Sequence, residues 1–216
     1  MENIEGRENL LGELKGSEEN SHLGGCSIGG DAGTYYPKMW RGLIDRFNIR
    51  SVIDVGCGTG WSVKFFKENG CHVLGVEGLQ EAIDSSPVKD DIYRHDYEKD
   101  GPFNPTEEFD LCWSCEFVEH VEQSCTLNFI ETFESAKFLA MTFAGPKQAG
   151  HHHVNCQLHQ YWIDVLGIRG FRFDGGITND LKSLAIKDAN EWMNRGTPWD
   201  ACFHFVPRGL FFINEN

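Results

Sequence analysis

No stretch of the 216-residue chain approaches the roughly 18 consecutive apolar residues that a membrane-spanning helix needs, so a span through a bilayer is not expected. Basic residues are scarce beside acidic ones. Lys and Arg number 19 against 33 Asp and Glu, a formal net charge of −14. Such a field repels nucleic-acid phosphates and argues against a general nucleic-acid binder, although a small local basic site is compatible with it. Cysteine is too thin for a disulfide scaffold, with 8 in 216 residues. The opening segment MENIEGRENLLGELKGSEEN is acidic and lacks the apolar core of a secretory signal. The expected setting is cytoplasmic and reducing, with free thiols. No repeat or low-complexity tract is present.

The chain divides into a polar N-terminal lead, 1–34, and a single domain, 35–216, as the usual span of about 100–200 residues per domain suggests. In the lead, Leu10, Leu11 and Leu14 fit one amphipathic helical turn, and 23–33, with five glycines, reads as loop. The lead is expected to be partly ordered, either a candidate lid or a frayed terminus. From 35 onward, short β-branched or aromatic runs alternate with stretches of helical periodicity. Strands are expected at 51–55, 72–76, 92–95, 109–114, 137–143 and 170–173, with closing candidates at 201–206 and 209–213. Helices are expected at 38–47, 61–69, 80–85, 127–136, 160–166 and 181–194. Alternation of this kind implies a parallel, doubly wound α/β sheet. Ligands of such sheets bind beyond the carboxyl ends of the strands.

Three strand ends carry acceptor groups or glycine turns. The first reads SVIDVGCGTGWS: Asp54 lies near the strand end, and Gly56, Gly58 and Gly60 lead into a helix. Glycine permits positive φ and close approach of a ligand. A dinucleotide site spaces its glycines G-x-G-x-x-G and seats a pyrophosphate on the helix N-terminus. Here the third glycine comes one residue early, and the acid two residues before the first glycine suits a cationic ligand better. The second end, HVLGVEG, places Glu77 19 positions after Gly58, where a carboxylate accepts ribose hydroxyls. The third, YRHDY, places Asp96 where an acceptor meets an exocyclic amine. Each acid has a bland alternative, a solvated side chain at a strand end.

In this order, VIDVGCGTG, VEG, HD and FDLCWS resemble the motifs of class I S-adenosylmethionine-dependent methyltransferases, over roughly 35–145. The chain is most similar to the small, single-domain type-11 and type-12 kind. The resemblance implies a Rossmann-like sheet of seven strands, mostly parallel, with an antiparallel last strand in 201–213. It implies S-adenosyl-L-methionine as cofactor. Asp54, the Gly56–Cys57–Gly58–Gly60 loop and Ser114 would flank the methionine part. Glu77 and Gly78 would take the ribose, Leu79 would pack on the ribose or adenine, and Asp96 with Tyr97 would meet the adenine. The enzyme would align an already activated methyl for in-line attack, with a general base where the acceptor must lose a proton. A non-catalytic cofactor-binding protein and an NAD-dependent oxidoreductase are the alternative readings.

The acceptor side is less legible. After the fourth strand comes SCEFVEHVEQ, in which Glu116, Glu119 and His120 fall about one helical turn apart and Glu119 with His120 could form an oriented general base. After the fifth comes GHHHVNCQLHQYW, with His151, His152, His153, Cys156 and His159 inside nine residues. Similar His-rich loops, followed by a Tyr-Trp helix and Gly-Phe, occur in some small phage-like and bacterial methyltransferases. The run reads as acceptor-site lining, with His152 or His153 a candidate base. Loop packing and a metal site are its rivals, and no metal ligands are assigned because the spacing fits no common zinc pattern. Cys112-x-x-Cys115 reads as coincidence within a strand, Tyr35 or Tyr36 as a cover for the cofactor or as packing, and Phe203, His204 and Phe205 as sheet residues. The acidic balance favours a small-molecule, lipid-headgroup or sugar acceptor, and a protein side chain remains an option. The oligomeric state is not legible.

Overall fold

The computed structural model describes residues 13–196 and 203–216. Strands β1 (Glu13–Lys15) and β2 (Gly24–Ser27) precede α1 (Pro37–Phe47), β3 (Ser51–Val55) and α2 (Trp61–Glu68). Then come β4 (His72–Glu77), α3 (Gln80–Ser85), β5 (Ile92–Arg94), β6 (Phe109–Ser114), α4 (Thr126–Phe133) and β7 (Ala136–Met141). The chain closes with α5 (His159–Ile168), β8 (Phe171–Phe173), α6 (Gly175–Asn194), α7 (Phe205–Arg208) and β9 (Leu210–Asn214).

Seven strands make one sheet in the order β5-β4-β3-β6-β7-β9-β8. β3 to β7 pair in parallel, and β9 runs antiparallel between β7 and β8. The antiparallel strand falls where the resemblance placed it. From β3 the chain winds outward through β4 and β5, then returns to β6 on the other side. That reversal opens a crevice beyond the carboxyl ends of β3 and β6.

Both faces of the sheet are covered, which is why its strands read as near-continuous apolar runs. On one face Trp40, Leu43, Phe66, Ala185 and Phe205 pack against Val52, Leu111 and Trp113. On the other, Phe129, Phe133, Trp162 and Leu166 pack against Ile53, Val55 and Cys112. Successive residues of β3 and β6 thus point to opposite cores.

Four expectations are corrected. The glycine-rich 23–33 is not all loop: Gly24–Ser27 pairs antiparallel with Glu13–Lys15. Leu14 therefore lies in a strand rather than a helical turn, and Leu10 and Leu11 fall outside the described residues. Helix α6 begins six residues before the expected 181, because Asp174 caps it by accepting the Ile177 N–H at 2.9 Å. The closing strand expected at 201–206 is not formed: Ala201 and Cys202 lie outside the described residues, and Phe205–Arg208 is a short helix. Pro207, which cannot donate to a strand ladder, fits that outcome.

Helix α1 starts at Pro37, and its next two N–H groups need acceptors. A distant residue supplies them. The Asp188 carboxylate on α6 accepts from Lys38 N and Met39 N, both at 3.1 Å, and is almost wholly buried. Asp188→Ala should strand both donors, costing about 1–3 kcal/mol and lowering Tm by roughly 3–10 °C. Asp188→Asn should recover part of the loss. Thermal unfolding by circular dichroism reads both, and an unchanged Tm in the alanine variant would mean the cap is dispensable.

Candidate active site

A cavity of about 440 Å³ opens at the carboxyl ends of β3, β4, β5 and β6, a size typical of small-ligand sites. Its floor is the turn after β3. Gly56 and Gly58 have φ of +74° and +54°, a backbone that side-chain-bearing residues rarely adopt, and Gly56 also lacks room for a Cβ. A Cβ on Gly56 would lie 2.4 Å from the Phe117 ring, and one on Gly58 would lie 3.2 Å from Cys26 Cβ. The turn is tied to the next strand, since Gly56 N and Cys57 N both donate to Val76 O, at 2.9 and 3.2 Å.

Glu77, the last residue of β4, holds this floor in place. One carboxylate oxygen accepts the Gly58 N–H and the other the Leu79 N–H, each at 2.8 Å. Burial pushes its pKa up, and those backbone donors work against the rise. The Gly58 N–H, which a pyrophosphate would need, is thereby already engaged by a carboxylate.

Past β5, Asp96 accepts the Glu98 N–H at 3.1 Å through one oxygen and lies 2.9 Å from His22 Nε2 through the other. Tyr97 donates its hydroxyl to Thr132 Oγ1 at 2.9 Å and packs edge-on to Phe117 and Phe129.

The lead covers this floor. His22, Leu23, Gly24, Gly25, Cys26 and Asp31 all line the cavity. Leu23 sits so close over Gly78 that a Cβ there would meet its Cδ2 at 2.7 Å. Of the two tyrosines, Tyr35 lines the cavity beside Trp40. Tyr36 is core instead, its hydroxyl donating to Gly33 O and accepting the Phe205 N–H.

Gly56, Cys57, Gly58, Glu77, Gly78, Asp96 and Tyr97 therefore meet on one cavity wall. Asp54, Gly60, Leu79 and Ser114 do not reach it. Asp54 lies behind the turn, 2 % exposed, where it accepts the Ser62 hydroxyl. Gly60 caps α2, and Leu79 is buried at the start of α3. Ser114, expected beside the ligand, is the buried end of β6 and donates to Val55 O at 3.0 Å, bracing the two central strands.

On the acceptor side the order is rearranged. Glu116 adopts a left-handed φ of +51° and turns away from Glu119 and His120. Thr142 holds it by donating to its carboxylate at 2.8 Å, and its other oxygen lies 2.7 Å from His204 Nδ1. Burial alone would lower the His204 pKa, but bonding to Asp31 and Glu116 outweighs that and carries it to about 9. His204, expected in the sheet, thus lines the cavity as a cation between two carboxylates. Its spacing of four from Arg208 was the available signal.

Glu119 and His120 do not form a hydrogen-bonded dyad. Glu119 is fully buried and reaches toward His120 and His153 from behind the wall. His120 lines the cavity, and burial followed by the neighbouring His153 pulls its pKa down to about 4. The three consecutive histidines diverge. His151 lies 3.1 Å from Leu23 O, and His153 donates from Nδ1 to Gln148 O at 3.0 Å. His152, with φ +44°, does not line the cavity and sits 3.7 Å from Glu98. Cys112 and Cys115 are both free.

Residues 53–131 match the family model of a methyltransferase domain, a little over a third of the chain. No curated protein matches the sequence. Among solved structures, the plantazolicin methyltransferase BpumL is 13 % identical over 83 % of each chain, with a TM-score of 0.55. Magnesium protoporphyrin IX methyltransferase from Synechocystis PCC 6803 is 15 % identical over 62 % of this chain and 70 % of that one, with a TM-score of 0.50. The [4+2]-cyclase SpnF, 13 % identical over 82 % of this chain and 79 % of that one, also has a TM-score of 0.50.

The fold and the matched segment define a class I methyltransferase architecture. Within it, residues 53–131 are the part that matches a methyltransferase domain. No helix among the described residues is long and apolar enough to cross a membrane.

Burial, opposed by the Ser62 hydroxyl, raises the Asp54 pKa from 3.8 to about 7. The folded state therefore favours the protonated carboxyl. Its contribution to stability is complete below about pH 4 and is lost as the pH rises through 7. Urea unfolding between pH 4.5 and 7.5 (roughly the span between these values) should show wild type losing more stability with rising pH than Asp54→Asn. Parallel slopes for the two proteins would sink the assignment.

Proposed function

We propose that the chain transfers a methyl group from S-adenosylmethionine, held against the wall formed by Gly56–Gly58, Glu77–Gly78 and Asp96–Tyr97, to a small acceptor on the histidine-lined side. The carrying observation is that one cavity collects, in order, the carboxyl ends of three neighbouring parallel strands, with an acceptor side chain on the second and third. Glu77 lines that cavity, and a carboxylate's two oxygens offer about four acceptor sites, so beside its backbone N–H partners it keeps capacity for a ribose hydroxyl. Asp96 would receive the adenine amine, in exchange for the contact it makes with His22. Gly56 and Gly58 would let the donor lie against backbone.

When bound, the sulfonium supplies an activated methyl. The protein's part is alignment and exclusion of water. Residues 35–216 would form the catalytic domain, and the lead would close over the donor. His120, neutral at physiological pH, can accept a proton from an acceptor hydroxyl or amine. His151 and His153 share that side of the cavity. The enclosed volume and the −14 charge favour a small molecule, lipid headgroup or sugar over bulk nucleic acid.

Thermal unfolding with S-adenosylmethionine, S-adenosylhomocysteine and NAD in parallel tests the donor site. At 100 times Kd a ligand stabilises by about 2.7 kcal/mol, a Tm rise of roughly 5–10 °C at this chain length. Both sulfur nucleotides should give that rise and NAD none. Glu77→Ala should abolish it. A rise with NAD alone would replace methyl transfer by hydride transfer, and no rise with either sulfur nucleotide would overturn the reading.

A further inference from the structure

We propose that Glu119, His120 and His153 form a binding site for one divalent transition-metal cation at the acceptor side of the cavity. One ligand atom from each lies within 4.8 Å of the other two. Two imidazole nitrogens and a carboxylate oxygen suit zinc, manganese or ferrous iron better than magnesium or calcium, which prefer oxygen alone.

The free valences point the same way. Both carboxyl oxygens of Glu119 are buried without a hydrogen-bond partner, and so is Nδ1 of His120. A buried carboxyl group with neither oxygen satisfied costs several kcal/mol, and native proteins retain such groups where something else pairs them. Here the side chain is wholly buried and aimed at two imidazoles. His153 is oriented for the task. Its Nδ1–H donates to Gln148 O at 3.0 Å, which leaves Nε2 as the free nitrogen. Metal-bound histidines are characteristically held this way through the other ring nitrogen. Gly150 makes room for that ring, since a Cβ there would lie 2.1 Å from His153 Nε2.

The backbone locks the two segments together. Val154 N and Asn155 N both donate to Glu119 O at 3.0 Å, so the turn after β6 and the loop after β7 carry their ligands as one unit. In a tetrahedral site with bonds of about 2.1 Å, ligand atoms lie roughly 3.4 Å apart. The three groups therefore have to close by at most about 1.4 Å for a cation to be held by all of them. His120 and His153 line the cavity and Glu119 stands behind them, so the open coordination positions face the acceptor. A cation there would grip an acceptor oxygen and lower its pKa, taking over from His120, then a ligand, the task of easing the acceptor's proton away. That consequence rests on the methyl-transfer reading, but the cation site itself does not.

Isothermal titration of the metal-stripped protein with Zn²⁺, Mn²⁺ and Mg²⁺ tests the site, with elemental analysis of the purified chain beside it. Zn²⁺ or Mn²⁺ should bind at one equivalent and Mg²⁺ more weakly. Glu119→Gln and His153→Ala should each weaken binding by more than the roughly 10–100-fold that outer-sphere partners cost. His159→Ala, an exposed histidine outside the cluster, should bind as wild type. Glu119→Gln preserves shape, and circular dichroism confirms that each variant folds. Absence of saturable binding to the wild-type protein would overturn the proposal. So would binding unchanged in both site variants, or binding lost only with His159. None of these readouts uses S-adenosylmethionine, so failure of the donor site and failure of the metal site are seen separately.

Discussion

The site hangs on a carboxylate bonded to backbone. Glu77 accepts one N–H from the turn after β3 and one from the segment after its own strand. A glycine turn with three left-handed residues has many conformations available when unfolded, and fixing it costs entropy. A bridging acceptor between two such segments removes that freedom with two hydrogen bonds. The same bonds occupy the backbone donor that would otherwise invite a phosphate. The shape of the turn is thus set by the strand beside it.

An acidic chain that buries carboxyl groups must answer each one locally, because burial raises the cost of every unpaired charge. The described residues show four answers around one cavity. Asp54 accepts a hydroxyl and is driven toward its neutral form. For Glu77 burial pushes the pKa up, and backbone N–H donors work against the rise. For Glu116, burial works toward the neutral form, but the His204 imidazolium beside it prevails and lowers its pKa. Glu119 has no side-chain donor on either carboxyl oxygen, and burial holds its pKa well above the usual carboxylate value. The contrast between Glu116 and Glu119, three residues apart, is set by backbone: a left-handed φ at 116 sends that side chain to His204 and Thr142, while the following turn sends 119 inward.

The central sheet was legible because its strands obey local rules. β-branched runs closed by glycine marked β3 and β4, and helical periodicity marked α1 and α2 within a residue or so. The place of Glu77 and Asp96 on the cavity wall followed, since a strand end is a fixed place and each lies at or just past one. The misses share a cause. Ser114 was put beside the ligand from its place at the end of a strand, but the hydroxyl turns to the neighbouring strand and is spent on Val55 O. His204 was given to a strand because Phe203 and Phe205 flank it in alternation; the helix that forms instead presents it to Glu116 from a segment far away in sequence. The β1–β2 pair was hidden because Gly24 and Gly25 carry no side-chain pattern, and their φ values of +116° and +89° lie outside the ordinary strand region.

The histidine run shows how little a count of residues says about a site. Three identical side chains in sequence offer one chemistry to a reader of composition. The structure separates them through one backbone torsion. His152 takes the left-handed conformation that non-glycine residues rarely adopt, with φ +44°. That reversal turns the chain so that His151 faces the lead and His153 faces His120, whose ring meets it edge-on at 4.9 Å. His152 itself is left on the far side, near Glu98 and His22. A left-handed residue costs of order 1–3 kcal/mol and persists where its surroundings over-determine it. Here the surroundings are the two N–H bonds from Val154 and Asn155 to Glu119 O, which draw the loop back immediately after the reversal. The strain, the divergence of the three rings and the approach of His153 to the buried Glu119 are one arrangement. The chain accepts that strain in order to bring an imidazole from one strand end against a carboxyl from another.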